Sequence, residues 1–309
     1  MTKKISLIGV PSDISASDRG ATMGPEALRV AGMATTLEKL GYEVVDTGNL
    51  YGPKTPNHPP EDGLRHLKET VIWCQNVQDA VYTELMEGHF PVMMGGDHGM
   101  SIGSIAAVSR YCAQKNIPLC VLWIDAHADF NTPETSPTGN IHGMPVAVMS
   151  GVGPVELTGL SSVTPMVNPN NIYQVGIRSV DRAEKKLVTD SGINVFDMRR
   201  IDEIGMRMTM HSIIEQVRDK NAHLHVSFDV DSLDPSIAPG VGTKIQGGLT
   251  YREAQLCMEM VYDSGIMGSL DIAEINPALD HKNITAELAV DLAASLFGNH
   301  ILPPTKGTR

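Results

Sequence analysis

The chain has 309 residues, 42% of them hydrophobic and 19% charged, so it can bury a full core as one large α/β domain or two smaller ones. A formal net charge of −12 argues against nucleic acid or an anionic membrane as partner, since both need basic patches, and it suits a small cationic ligand. Cys74, Cys112, Cys120 and Cys257 form no C-x-x-C pair, which reads as reduced, buried thiols rather than disulfides or a thiolate metal site.

In chain order, residues 1–4 lead directly into a strand over 5–10 that Pro11 ends, too short a run for a signal peptide. Pro25 suits the first turn of a helix reaching about Leu40, with Gly41 as its stop. A strand over 42–46 precedes a Pro- and Gly-rich loop to Asp62, and 61–85 has the pattern of a long amphipathic helix. Strands at 90–94 and 119–124 flank a helix at 101–114, and loops follow at 131–145 and 150–170. Further strands are expected at 172–177, 194–196, 223–228 and 268–273, with helices at 182–191, 208–219 and 251–263. A last helix over 285–297 is closed by Gly298. Apolar residues on both faces of several strands, alternating with helices, predict one α/β domain over 1–309. Its doubly wound, mostly parallel sheet would have about eight strands and helices on both faces. No apolar run approaches membrane-spanning length, and a cytoplasmic protein is expected.

Three segments at strand ends are crowded with metal-binding side chains: Gly95-Gly-Asp-His98, Asp125-Ala-His-Ala-Asp129 and Asp229-Val-Asp231. Ligands bind beyond the carboxyl ends of such strands. On an extended chain positions i, i+2 and i+4 share a side, so Asp125, His127 and Asp129 should converge, as should Asp229 and Asp231. The first segment alone also fits a tight turn with a surface histidine, and the third fits a turn built on Asp234-Pro235. Together with His98 they offer two imidazoles and four carboxylates, a set without thiolates that suits two Mn²⁺ better than structural Zn²⁺. Two such ions generate hydroxide at neutral pH, which points to metal-assisted hydrolysis.

The blocks Gly95 to His98, Trp123 to Asp129, Ser227 to Pro235 and Glu274-Ile-Asn-Pro277 resemble the signatures of the ureohydrolases, and the similarity runs from Gly9 to the last helix. The resemblance implies two Mn²⁺ per subunit, with Co²⁺ as alternative, held by His98, Asp125, His127, Asp129, Asp229 and Asp231. The loop holding Asn131, Thr138-Gly-Asn140 and His142 is similar to the arginase version, which recognises an α-carboxylate. Arginases usually carry Ser at the position of Thr138. Asp181, with Glu184 assisting, would meet the α-amino group, and Glu274 the guanidinium, which matches a carboxylate in bidentate fashion. Thr243 would stand near a metal-bridging hydroxide. Asp129 would pass the proton to the leaving amine, and His142 would exchange protons with solvent. The expected reaction is L-arginine and water to L-ornithine and urea, in a homotrimer or homohexamer. The alternatives are another ureohydrolase, acting on agmatine or a guanidino acid, and a catalytically silent binding homologue. The remaining histidines, His58, His66, His89, His211, His223, His225, His281 and His300, read as structural or exposed.

Overall fold

The computed structural model describes residues 4–56 and 59–302; residues 1–3 of the N-terminal reading, and His58, lie outside them. Its strands are β1 (Lys4–Gly9), β2 (Glu43–Asn49), β3 (Phe90–Met94), β4 (Leu119–Ile124), β5 (Ile172–Ile177), β6 (Asn194–Asp197), β7 (His223–Asp229) and β8 (Met267–Ala273). They form one sheet in the order β2-β1-β3-β8-β7-β4-β5-β6, and every pairing is parallel, a stricter result than the mostly parallel sheet expected. The last strand lies between β3 and β7, so the two ends of the chain interleave in a single sheet.

The sheet is buried on both faces because alternate strand residues supply both. Cys120, Leu122 and Ile124 pack on one side with Ile213, Met258 and Leu292. Val121 and Trp123 pack on the other with Val77, Ile105 and Val146. Parallel strands need helical crossovers, and these coat each face. Among the described residues, no helix is long and apolar enough to cross a membrane.

Four expectations are corrected. The helix read over 25–40 is two, Gly24–Val30 and Met33–Lys39, because Gly32 takes a left-handed φ of 86° between them. The helix expected from 61 begins at Leu67, since Asp62, Gly63 and His66 all have positive φ (50°, 76° and 52°) and cannot continue a right-handed helix. The helix expected at 208–219 starts at Met206 and is preceded by another, Met198–Ile204. Asp197 caps that first helix by accepting from Arg200 N–H at 2.8 Å. A short helix at Val155–Thr158 interrupts the stretch read as loop over 150–170, and another, Pro145–Met149, fills the gap between the two loops.

Candidate active site

The carboxyl ends of five neighbouring strands, β3, β8, β7, β4 and β5, open into one crevice. Gly95 and Gly96 turn the chain out of β3. A Cβ on Gly96 would stand 1.7 Å from the Ser12 carbonyl oxygen, so only glycine lets the loop after β1 lie this close. The Asp97 amide then donates to that same carbonyl at 2.8 Å. Asp97 is fully buried, accepts from the amide and hydroxyl of Ser15, and caps the turn that holds His98.

Convergence of the acidic segments is real, but its cause differs in part from the extended-chain reading. β4 stops at Ile124, and Asp129 adopts a left-handed φ of 47°. Asp229 ends β7, and the turn Val230–Ser232 follows it, closed by the Asp231 amide donating to Asp229 Oδ1 at 2.7 Å. Asp125 and His127 share a side as expected, with His127 still bridged in parallel to Ser179, while turns at Asp129 and Val230–Ser232 bring in the other carboxylates.

Two groups result, one of His98, Asp125 and Asp229, the other of Asp125, His127 and Asp231. His98 Nδ1 lies 3.1 Å from Asp125 Oδ2, 2.9 Å from Asp229 Oδ2 and 3.6 Å from Asp129 Oδ2. His127 Nδ1 lies 3.5 Å from Asp125 Oδ1 and 3.1 Å from Asp231 Oδ2. Asp125 therefore offers one oxygen to each group. Its orientation is fixed by Trp123 Nε1, which donates at 2.8 Å, and by the His127 amide at 2.6 Å. The Trp123 ring also stacks on His98, with centroids 3.9 Å apart.

The donor set fits divalent metal. His98 Nδ1 is buried among three carboxylates, yet it makes no hydrogen bond. Its other nitrogen, Nε2, lies 2.9 Å from Ser227 Oγ; a proton on Nε2 leaves the Nδ1 lone pair free for a cation. Burial, and then the neighbouring Asp125 charge, push Asp129 well above the usual carboxylate range. Burial and Asp231 do the same to Asp229. Burial works against a charged His127, but Asp231 and Asp125 push its pKa up to about 12. A cluster so short of positive charge that it retains protons is one that bound cations would relieve. Arg178, the guanidinium nearby, donates to backbone carbonyls at 231, 232, 233, 176 and 245, bracing the loops without pairing with an aspartate.

Above the two groups lies a cavity of about 280 Å³, lined by the expected residues His98, His127, Asp129, Asn131, Thr138, His142, Asp181, Glu184, Asp229, Asp231, Thr243 and Glu274. Asn131 Nδ2 donates to Asp181 Oδ2 at 3.0 Å, which ties the expected carboxylate-binding and amine-binding positions together. Glu184 accepts from the amides of Phe130 (2.7 Å) and Asp181 (2.9 Å), so it braces two loops as well as lining the cavity. Thr243 Oγ1 donates to Asp231 Oδ2 at 2.9 Å. Glu274, at φ 65° just past β8, accepts the His98 amide at 2.8 Å and faces His142 Nδ1 at 3.0 Å, both through Oε1. Its Oε2 accepts no hydrogen bond among the described residues.

A sequence model of the Arginase family matches residues 3–298. The arginase of Bacillus caldovelox is 42% identical over 302 residues, covering 97% of this chain and 100% of that one. The chain belongs to the arginase family. The family fold is shared closely: the native crystal structure of the B. caldovelox arginase superposes with a TM-score of 0.93, over 97% of this chain and 100% of that one. The Entamoeba histolytica arginase solved with L-ornithine is 31% identical, with a TM-score of 0.88 over 96% and 99% of the two chains. A hypothetical agmatinase from Burkholderia thailandensis is more distant, 27% identical with a TM-score of 0.71 over 96% of this chain and 84% of that one. The chain is thus a hydrolase of an arginase-family type.

Several residues of this arginase-family cavity escaped the sequence reading. Ser136 and Ser179 line it, Ser136 in the very loop that carries Thr138; Asn140, named there only as part of the loop, lines it too. Ser227 lies within a motif already noted, but as a hydroxyl on a strand it gave no sign of facing His98. Replacing Ser227 with Ala should weaken metal retention about 10- to 100-fold, the usual cost of removing the partner of a ligating histidine. Competition with a graded chelator measures it; retention equal to the parent protein would show that Ser227 does not set the His98 tautomer.

Proposed function

We propose that this chain is an arginase that hydrolyses L-arginine to L-ornithine and urea with two Mn²⁺ ions, Co²⁺ being the alternative. The observation that carries the reading is the joining of two His/Asp groups through Asp125 beneath a cavity whose wall carries Asn131, Thr138 and Asp181. When bound, two divalent ions would acidify water and stabilise the tetrahedral species that its attack on the guanidinium carbon forms.

The remaining roles fall to side chains. Glu274 Oε2 is left for the guanidinium, since Oε1 is engaged by His98 and His142. Asn131 and Thr138 supply amide and hydroxyl donors for an α-carboxylate, and Asp181 an acceptor for the α-ammonium. Asp129 lines the cavity beside the two His/Asp groups, where it is placed to take a proton from the attacking water and release it to the departing amine. His142 is kept in place by Glu274 and exchanges protons with solvent. The E. histolytica relative, solved with L-ornithine, supports an amino-acid product of this kind. A homotrimer or homohexamer in the cytoplasm is the setting we propose, to be checked by light scattering and fractionation.

The manganese-loaded protein should release urea from L-arginine with a kcat/KM far above that for agmatine or 4-guanidinobutyrate. A preference for agmatine overturns the substrate assignment. Absence of bound metal together with inactivity on all three guanidines points instead to a silent binding homologue.

A further inference from the structure

The wall that carries Thr138 and Asn140 is held from behind by Arg65. The Arg65 amide donates to the Gly139 carbonyl at 2.8 Å, and Arg65 Nε donates to Asn140 Oδ1 at 2.9 Å. Asn140 Oδ1 also accepts from Ser17 Oγ at 2.9 Å, so its oxygen is committed on the side away from the cavity and its Nδ2 donors bond nothing among the described residues. The two segments touch closely. A Cβ on Gly139, at φ 72°, would come within 2.5 Å of the Gly63 carbonyl oxygen. Asn140 lines the cavity and Arg65 does not.

Arg65 is half-buried, and among the described residues no carboxylate lies within ion-pair distance of it. Its Nη1 and Nη2 make no hydrogen bond there either. An unpaired guanidinium is unusual beside a cavity whose lining holds Asp129, Asp181, Glu184, Asp229, Asp231 and Glu274. The four aspartates Asp125, Asp129, Asp229 and Asp231 would be offset by two divalent ions; Asp181, Glu184 and Glu274 remain as acidic groups in the lining. Such a field attracts the cationic ends of an amino-acid substrate and repels its carboxylate.

We infer that Arg65 is a positioning and specificity residue: it turns the Asn140 amide toward the substrate and supplies the positive potential that admits an α-carboxylate at this wall. The inference rests on the reading that Asn131 and Thr138 face that carboxylate. It distinguishes a guanidino amino acid from its decarboxylated amine. A unit charge within about 10 Å, at the effective dielectric of a protein surface, is worth roughly tenfold in affinity.

The test uses the manganese-loaded enzyme with Arg65→Gln, which keeps an amide donor but no charge, and Arg65→Lys, which keeps the charge. In Arg65→Gln, KM for L-arginine should rise about tenfold with a much smaller change in kcat. The arginine-to-agmatine ratio of kcat/KM should fall by about the same factor. Arg65→Lys should recover most of that ratio. The KM of the parent enzyme for arginine should also climb more steeply with salt than that of Arg65→Gln. Parallel losses on both substrates, a loss confined to kcat, or an unchanged ratio in Arg65→Gln would overturn the inference. Failure of the parent enzyme to use arginine would instead overturn the function on which it rests, and the two failures are separable in one assay.

Discussion

Asp125→Asn should abolish nearly all turnover and empty both metal positions together. Asp125 is common to the two His/Asp groups, with Oδ2 3.1 Å from His98 Nδ1 and Oδ1 3.5 Å from His127 Nδ1. Asparagine keeps the shape but offers one weak acceptor and one donor where two anionic oxygens stood, so one group loses its shared ligand whichever way the amide turns. Loss of charge acts on both. On the proposed function, kcat should fall by well over the roughly 100-fold typical of removing an outer partner of a ligand. Metal content after desalting should drop for both ions. Asp231→Asn is the control, since it touches only the group containing His127 and leaves His98, Asp125 and Asp229 intact. Elemental analysis and urea release on the two variants decide the matter. An Asp125→Asn protein that retains two ions, or that behaves like Asp231→Asn, would show that Asp125 is not the shared ligand.

The fold and the clusters were legible in the sequence for different reasons. Strands buried on both faces leave continuous apolar runs such as Leu119–Ile124, and such runs are hard to disguise. Acidic residues immediately after them stand out because burial demands a compensating charge. What the sequence hid was how the chain turns. The left-handed φ of Asp129 and of Glu274 has no residue-type signature, yet each directs a carboxylate into the cavity. Strand alternation served for Asp125 and His127 and failed for Asp129 and Asp231, which turns bring in. Helix boundaries failed where a single left-handed residue, such as Gly32 or His66, interrupts an otherwise good helical pattern. Bracing contacts were hidden for a simpler reason: Ser227, Arg178 and Arg65 are joined to the site only by the fold.

The same short supply of positive charge that fits the cluster for metal makes its stability depend on pH in opposite senses with and without ions. An aspartate with a raised folded pKa keeps its proton where the unfolded chain has released it. Asp129 and Asp229 therefore cost stability progressively as pH rises from about 3.8 through their raised values. His98 and His127 also have raised values, despite burial, because of the aspartates around them. Their stabilisation is complete below about 6.5 and drains away above it, for His127 over a window reaching about 12. Asp125 runs the other way, held below the usual range against burial by His127 and His98, so its contribution is lost only in acid. The metal-free protein should consequently melt at lower temperature at pH 9 than at pH 6. Metal ligands must shed protons to bind, so the loaded protein gains affinity over the same range. At a free ion concentration 100-fold above Kd, binding adds about 2.7 kcal/mol, or on the order of 4 °C in Tm for a chain of this size. Melting curves with EDTA and with Mn²⁺ at pH 6, 7.5 and 9 should diverge by that amount toward alkaline pH. Curves that stay parallel would show that the buried aspartates and histidines do not exchange protons for metal.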